Sequence, residues 1–285
     1  HFEGGRRALK DERWRARPVS IPGRDGVQVL PGWLSPSEQL LLAHQCLAIY
    51  AEPPNKNNLL PHMGQVHDIW EGGGKPLDDL RWSTLGYQYD WTARSYPEDQ
   101  RLPVPPEVQT LAATALAAAG RTCGIRAEAA IVNYYHASTT LGGHKDDVEP
   151  DQETPIVSVS LGCSAVFLAG GEDKEEAPTA LWLRSGDVMI MSGTARRCMH
   201  GVPRILSEDE TVCCPPVQPD ETAAREQDNG VAGDEVPVPS PEALSRVAQY
   251  LQNHRINLNI RQVFTSDSTT AHGESASPES DQREP

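Results

Sequence analysis

Residues 255–262 read RINLNIRQ and alternate strictly between polar and apolar side chains. This period of two predicts a β-strand with Arg255, Asn257, Asn259 and Arg261 on one face and the apolar residues on the other. Such a polar face is usually exposed to solvent, but in a small barrel it can equally line the lumen. Arginine binds carboxylates bidentately, and the two arginines lie up to about 20 Å apart on a straight strand. We therefore assign them to opposite ends of a pocket for a small dianion.

Other short β-rich segments accompany this strand. Strands are predicted at AAIVNYY (129–135), PIVSVSLG (155–162), SAVFLAGG (164–171), TALWLRSG (179–186) and DVMIMSG (187–193). Their close spacing and Gly-rich turns are typical of a sandwich or barrel. Helices are predicted at about 36–51, after a capping box that begins at Ser35, at 106–120 and at 240–254.

The net charge of −15 is unevenly distributed along the 285 residues. Residues 207–240 contribute −8 and residues 266–285 contribute −4, which leaves only −3 for the rest of the chain. A local basic groove for nucleic acid therefore remains compatible with the composition. Six cysteines without a C-x-x-C pair predict reduced thiols and no zinc site. Without an apolar run long enough for a membrane span or a signal peptide, we expect an intracellular protein that does not insert in membranes.

A possible metal site begins in LGGHKDDVEP, residues 141–150. If this segment is extended, His144 and Asp146 point to the same face about 6.6 Å apart along the strand. His200, in MSGTARRCMHGVPRIL, would complete a set of two histidines and one carboxylate, which on non-haem Fe(II) leaves three positions open. Taken alone, a His-x-Asp sequence is more often a surface turn, and His200 could equally be a polar residue at the rim of a barrel.

Two further groups of side chains are candidates for binding small molecules or bases. Asn133 and Tyr135 share a strand face and could donate hydrogen bonds to an organic acid. The segment RWSTLGYQYDW, with Trp70 as an additional member, is rich in aromatic side chains that are candidates for a ligand-binding surface. Its candidates are Trp82, Tyr87, Tyr89 and Trp91. The alternative is a hydrophobic strand that packs on the helix at 36–51.

Five separated motifs resemble, in order and register, those of the AlkB family of Fe(II)- and 2-oxoglutarate-dependent dioxygenases. The surrounding sequence is similar to the eukaryotic homolog-one group of that family, over residues 26–206 and 240–265. The motifs are Asn133-x-Tyr135, LGGHKD (141–146), SGDVMIMSG (185–193), HGVPR (200–204) and RINLNIRQ (255–262).

The resemblance implies a mainly β fold with flanking helices (α+β), built on a double-stranded β-helix or jelly roll. It implies that His144, Asp146 and His200 bind catalytic Fe²⁺, and that 2-oxoglutarate and O₂ are cosubstrates. It places Arg255 on the far carboxylate of 2-oxoglutarate and Arg261 nearer the metal. Asn133, Tyr135 and Asn257 are expected to assist in binding 2-oxoglutarate.

The expected domain organisation follows these segments. Residues 1–25 form an N-terminal extension, and residues 26–128 contribute helices and a nucleotide-recognition lid, in which the resemblance implies that the aromatic side chains hold an unstacked base between their rings. Residues 129–265 form the jelly roll, with an acidic, flexible insertion at 207–240. Residues 266–285 are expected to be a disordered tail.

The expected function is oxidation or demethylation of methylated bases in tRNA, such as 1-methyladenine and 5-methylcytidine, with 6-methyladenine in DNA as a second substrate. One alternative is a protein hydroxylase or histone demethylase on the same barrel. Another is an abasic-site DNA lyase, for which Lys145 is a candidate nucleophile. A binding module without catalysis would be favoured by loss of a ligand, and none is lost. We expect a monomer in the nucleus, mitochondrion or cytoplasm.

Overall fold

Two antiparallel β-sheets form the centre of the fold in the computed structural model, which describes residues 17–206 and 238–265. The strands are β1 (Val19–Ser20), β2 (Val27–Leu30), β3 (Trp82–Gly86), β4 (Ala129–His136), β5 (Leu141–His144), β6 (Ile156–Gly162), β7 (Ser164–Ala169), β8 (Thr179–Leu183), β9 (Val188–Met191), β10 (His200–Leu206) and β11 (His254–Arg261). The helices are α1 (Pro36–Ala48), α2 (Leu60–Met63), α3 (Ile69–Gly72), α4 (Gly74–Asp79), α5 (Pro106–Ala118) and α6 (Pro241–Leu251), with a 3₁₀ turn at Gly193–Arg197.

The larger sheet has the strand order β1-β2-β9-β6-β11-β4-β3, and the smaller sheet has the order β5-β10-β7-β8. Strand β11 lies inside the larger sheet, between β4 and β6. Its apolar residues Ile256, Leu258 and Ile260 are fully buried among residues of α1, α5 and α6. Because side chains alternate along a strand, the arginines and asparagines of β11 lie on the opposite face of the larger sheet. The polar face of β11 therefore lies between the two sheets and is not exposed to solvent.

A second apolar cluster covers that opposite face and joins the two sheets. It combines Ile156 and Met189 from the larger sheet with Phe167, Val202 and other residues of the smaller sheet. The mainly antiparallel sheets and flanking helices agree with the predicted mainly β fold and its jelly-roll core.

Most predicted elements are present, with shorter helices than expected. Helix α1 begins at Pro36, after the capping box in which the Ser35 hydroxyl accepts from the Glu38 amide, but it ends at Ala48 rather than at 51. Helix α5 ends at Ala118, two residues before Gly120, whose φ of +71° is incompatible with a further helical turn. Among the described residues, no helix is both long and apolar enough to cross a membrane.

Several predictions concern residues that the structure does not describe. The N-terminal extension is described only from residue 17, the acidic insertion only from residue 238, and the C-terminal tail at 266–285 lies outside the described residues. The predicted domain boundaries stay predictions.

Candidate metal centre and cosubstrate cavity

The pairing of β5 with β10 brings two histidines together that are far apart in sequence. In this antiparallel pair, His144 lies directly opposite His200, and the centroids of their rings are 4.4 Å apart. His144 is the last residue of β5 and His200 is the first residue of β10. Both histidines therefore lie at the same end of the smaller sheet.

Asp146 joins the two histidines from the loop that follows β5. The strand ends at His144, so the condition of an extended segment through Asp146 is not met, and Asp146 reaches the histidines from the loop. One carboxylate oxygen, Oδ1, lies 3.8 Å from Nε2 of His144, and the other, Oδ2, lies 3.8 Å from Nε2 of His200. Three ligand atoms, one from each residue, lie within 4.8 Å of one another, and no other group of three or more potential ligands is found in the described part of the chain.

Hydrogen bonds to the backbone orient both imidazoles. Nδ1 of His144 donates to the carbonyl oxygen of Gly142 at 2.9 Å, and Nδ1 of His200 donates to that of Cys198 at 3.3 Å. A carbonyl oxygen can only accept, so in the neutral imidazole the lone pair lies on Nε2. Burial lowers the pKa of His200, which favours this neutral form. Two imidazole lone pairs and a carboxylate facing one point are a donor set that fits Fe(II).

A buried arginine keeps the carboxylate of Asp146 ionised. Burial by itself raises the pKa of Asp146, but the charges around it, that of Arg261 first, then those of the two histidines when they are protonated and that of Arg196, outweigh burial and lower the pKa to about 2. Nη2 of Arg261 donates to Oδ2 of Asp146 at 2.9 Å. Asp146 therefore offers an anionic oxygen to a cation at neutral pH.

Three residues that sequence analysis missed complete this network. Arg261 also donates through Nη1 to Oε1 of Glu149 at 2.7 Å, and Arg196 donates to Oε2 of Glu149 at 2.8 Å. Tyr96 donates its hydroxyl proton to Oε1 of Glu149 at 2.7 Å. The only local signal for these partners was that Glu149 follows Asp146 by three residues and Arg196 precedes His200 by four.

A cavity between the sheets extends from the two histidines to the other end of β11. Tyr135, Arg255 and Asn257 line it together with His144 and His200. Two other predicted cosubstrate ligands, Asn133 and Arg261, are not among its lining residues. Arg261 instead lies beside Asp146, where its two Nη atoms donate hydrogen bonds to the carboxylates of Glu149 and Asp146.

Arg255 is a buried cation at the end of this cavity. Its side chain donates to Oγ of Ser160 at 2.7 Å and to the carbonyl oxygen of Cys163 at 3.2 Å, while its Nε is buried without a hydrogen-bond partner. Burial lowers the pKa of Arg255 to about 10. Within the described residues no carboxylate lies at ion-pair distance from this guanidinium. The charge of buried Asp187 acts on Arg255 from beyond ion-pair distance and only partly offsets the cost of burial, so an anionic group at this end of the cavity would be stabilised.

Four aromatic rings form a continuous group beside the larger sheet. The ring centroids of Trp82 and Trp91 are 5.2 Å apart, those of Trp91 and Tyr89 are 4.7 Å apart, and those of Tyr89 and Tyr96 are 5.0 Å apart. Trp82 pairs with Asn133 of β4, and Tyr96 bonds to Glu149, so the group lies close to the metal end. Trp91 is 49% exposed and is the ring most accessible to an approaching ligand.

The structure does not bring the other two predicted aromatic residues into this group. Tyr87 packs edge-on against Phe264 with a centroid distance of 5.1 Å, and Arg101 lies over its ring. Trp70 is 2% exposed and packs against Tyr250 and Arg246 of α6. A ring buried under a helix cannot stack on a base, so its position is that of a core residue.

Comparisons with known proteins agree with this arrangement. The sequence profile of the 2OG-Fe(II) oxygenase superfamily matches residues 26–261. The chain is 36% identical to the Homo sapiens protein "Nucleic acid dioxygenase ALKBH1", over 90% of this chain and 68% of the relative. It is 36% identical to the Arabidopsis thaliana "DNA N(6)-methyladenine demethylase ALKBH1A", over 86% of this chain and 77% of the relative. It is 34% identical to the Schizosaccharomyces pombe "tRNA demethylase abh1", over 67% of this chain and 72% of the relative.

A solved structure, described as "The structure of OsALKBH1", shares the fold. It superimposes with a TM-score of 0.57 at 23% identity and covers 86% of this chain and 99% of its own. The chain therefore belongs to the 2OG-Fe(II) oxygenase superfamily and, within it, to the ALKBH1 group of the AlkB family. It is an Fe(II)- and 2-oxoglutarate-dependent dioxygenase that uses Fe²⁺, 2-oxoglutarate and O₂.

Proposed function

We propose that this dioxygenase of the ALKBH1 group oxidises methylated bases in tRNA or DNA, with 2-oxoglutarate as the co-oxidised substrate. The substrate class follows from its relatives, whose names describe action on nucleic acid, DNA or tRNA. 1-Methyladenine and 5-methylcytidine in tRNA, and 6-methyladenine in DNA, are the proposed bases. We further propose an intracellular monomer that acts in the nucleus, mitochondrion or cytoplasm.

The proposed iron ligands are His144, Asp146 and His200. Their support is that the Nε2 atoms of both histidines lie 3.8 Å from oxygens of the same carboxylate, while both Nδ1 atoms are engaged by backbone carbonyls. Hydrogen bonding of the far ring nitrogen fixes the tautomer and orientation of a metal-bound histidine. These three residues would hold Fe(II) and would leave coordination positions for 2-oxoglutarate and O₂.

The single observation that carries the proposal is a cavity lined by His144 and His200 at one end and, at the other, by the buried guanidinium of Arg255, which forms no ion pair with a described carboxylate. Arg255 is proposed to bind the far carboxylate of 2-oxoglutarate, and Tyr135 and Asn257, which line the same cavity, to donate hydrogen bonds to it. Asn133 and Arg261 do not line the cavity, but they are proposed to assist in binding 2-oxoglutarate. A dianion would neutralise Arg255 at the far end and leave its keto-acid end facing the histidines.

The chemistry that the bound iron supplies is oxidation of a methyl C–H bond, with O₂ as oxidant and with 2-oxoglutarate converted to succinate and CO₂. For an N-methyl group, the hydroxylated product is a hemiaminal, which releases formaldehyde. The chain's own residues bind 2-oxoglutarate in a buried cavity, keep Asp146 ionised through Arg261 and orient the methylated base.

The aromatic group is the proposed site for the base. The rings of Trp82 and Tyr89 both contact that of Trp91 near the metal end, and Trp91 is half exposed. Stacking between rings suits an unpaired base, because each base has a π face whatever its sequence context. Tyr87 stays a weaker candidate, and the burial of Trp70 argues against its taking part.

The test is release of succinate and formaldehyde by the full chain with Fe²⁺, 2-oxoglutarate and either 1-methyladenine tRNA or 6-methyladenine DNA. We expect formaldehyde from at least one substrate and none from His144→Ala. An arm with abasic DNA separates lyase chemistry, which would survive in His144→Ala because a lysine nucleophile does not need iron. Failure of the wild type to convert 2-oxoglutarate with any methylated nucleic acid would refute the proposal.

A further inference from the structure

Glu149 occupies an unusual position for a glutamate in a loop. Its side chain is 1% exposed, and all three of its hydrogen-bond partners, Tyr96, Arg196 and Arg261, are donors. Its neighbour Asp147 is exposed and pairs with Arg94 at the surface. Glu149 is therefore an internal anion, whereas Asp147 is an ordinary surface charge.

The two carboxylates of this network share one guanidinium. Arg261 places Nη2 on Oδ2 of Asp146 at 2.9 Å and Nη1 on Oε1 of Glu149 at 2.7 Å. An arginine left with a single carboxylate commonly binds both of its oxygens at once. In this structure the guanidinium is divided, so Oδ1 of Asp146, the oxygen nearer His144, receives no hydrogen bond from Arg261.

We infer that Glu149 is a positioning residue for the metal centre: it holds Nη1 of Arg261 and thereby keeps one oxygen of Asp146 available to the cation. This inference rests on the proposed function, in which Asp146 is an iron ligand. Without the charge of Glu149, Arg261 is expected to move onto both oxygens of Asp146 and to compete with the metal ion. The network also balances its charges, since Asp146 and Glu149 oppose Arg196 and Arg261.

Glutamine cannot replace Glu149 in this role. Its side chain has the same shape, but one of its terminal groups is an NH₂ donor. Arg196 donates to one oxygen of Glu149, and Arg261 and Tyr96 donate to the other, so an NH₂ group would face a donor in either orientation. Partners beyond the ligands typically change metal affinity by about 10- to 100-fold.

The test is titration of the metal-free full chain with Mn²⁺, with free Mn²⁺ followed by electron paramagnetic resonance. We expect Glu149→Gln to bind Mn²⁺ about tenfold more weakly than the wild type. The matched control is Glu153→Gln, the same substitution at an exposed glutamate four residues away, which should bind as the wild type does. Thermal unfolding of each variant, followed by circular dichroism, shows whether it is folded.

Each outcome decides a different statement. Wild-type Mn²⁺ affinity in a folded Glu149→Gln variant overturns the positioning role while leaving the proposed metal centre intact. If that variant does not unfold cooperatively, Glu149→Asp is the variant to test. Its shorter carboxylate cannot reach both arginines, so this variant should also bind Mn²⁺ weakly. Wild-type Mn²⁺ affinity in Glu149→Asp overturns the inference. If His144→Ala binds Mn²⁺ as well as the wild type, the proposed centre itself is wrong and the role of Glu149 falls with it.

Discussion

Replacing Arg255 with methionine should weaken 2-oxoglutarate binding strongly while leaving the unliganded protein about as stable as the wild type. The guanidinium is 2% exposed, and no carboxylate among the described residues lies at ion-pair distance from it. Removing one partner of a buried, hydrogen-bonded charge pair costs about 2–5 kcal/mol of binding free energy. We therefore expect the Kd for 2-oxoglutarate to rise at least about 30-fold.

The stability of the unliganded variant follows from two opposing contributions. Burial lowers the pKa of Arg255 from 12.5 to about 10. At about 1.4 kcal/mol per tenfold change in proton affinity, keeping this charge buried costs about 3 kcal/mol, which methionine avoids. The variant loses the hydrogen bonds to Ser160 and Cys163, each contributing about 1.5 kcal/mol, and a long contact of 3.5 Å with the carbonyl oxygen of Leu183 that contributes little. The free energy of unfolding should thus change by no more than about 1 kcal/mol.

Both quantities can be measured on the same protein samples. Calorimetric titration of 2-oxoglutarate into the Mn²⁺-loaded chain, without oxygen, gives the Kd, and urea unfolding of the metal-free chain gives the free energy of unfolding. Arg184→Met, at an exposed arginine, is the matched control and should change neither value. Unchanged 2-oxoglutarate affinity in Arg255→Met would refute the assignment, and a loss of more than about 3 kcal/mol in stability would refute the claim that the charge lacks a partner.

Three further outcomes are expected. Trp91→Ala should weaken binding of single-stranded methylated RNA or DNA by about 5- to 150-fold. The control Trp182→Ala, at a ring of nearly equal exposure on β8, should leave the affinity unchanged. Fluorescence anisotropy measures both affinities, and equal losses in the two variants would contradict a stacking role for Trp91. Trp70→Ala should destabilise the fold by about 3–5 kcal/mol in urea without changing the KM for nucleic acid, and a raised KM at full stability would restore Trp70 to the substrate site. Asp146 has a pKa depressed to about 2 from 3.8, so about 2 kcal/mol of stability should be present above pH 4 and lost as the pH falls towards 2. Asp146→Asn should flatten that part of the stability profile, and an unchanged acid limb would show that the carboxylate is not ion-paired in the metal-free protein.

Local patterns predicted those elements in which the order of polar and apolar residues shows which face of the sheet or helix each side chain occupies. RINLNIRQ became β11 because apolar residues facing the helices alternate with polar residues facing the cavity. Helix α1 begins where the capping box at Ser35 predicted. By contrast, β2 has only four residues, VQVL, too few to show a period, and its strand conformation depends on pairing with β9. The sequence of one segment does not show which distant segment it pairs with.

The same distinction separates the predicted and the missed residues of the candidate site. The sequence alone predicted His144, Asp146 and His200, because few residue types bind metal ions and because predicted strands and glycines flank these three. Glu149 was not, since the acids at positions 146, 147 and 149 look alike in sequence. Only the fold buries Asp146 and Glu149 against Arg261 and leaves Asp147 at the surface.

The three buried arginines of the described chain show how a missing partner can point to a ligand. Arg196 and Arg261 each bond to a buried carboxylate, so their charges are compensated within the protein. Arg255 is equally buried, but its hydrogen-bond partners in the described chain are a hydroxyl and two backbone carbonyls, and it lies at the end of a cavity that leads to His144 and His200. A fold stabilised by only a few kcal/mol keeps a buried charge without an ion-pair partner at a substantial cost, which the more distant carboxylate of Asp187 offsets only in part. That cost is understandable if a bound dianion supplies the missing carboxylate, which is the reason why Arg255, more than any ligand residue, connects this structure with 2-oxoglutarate.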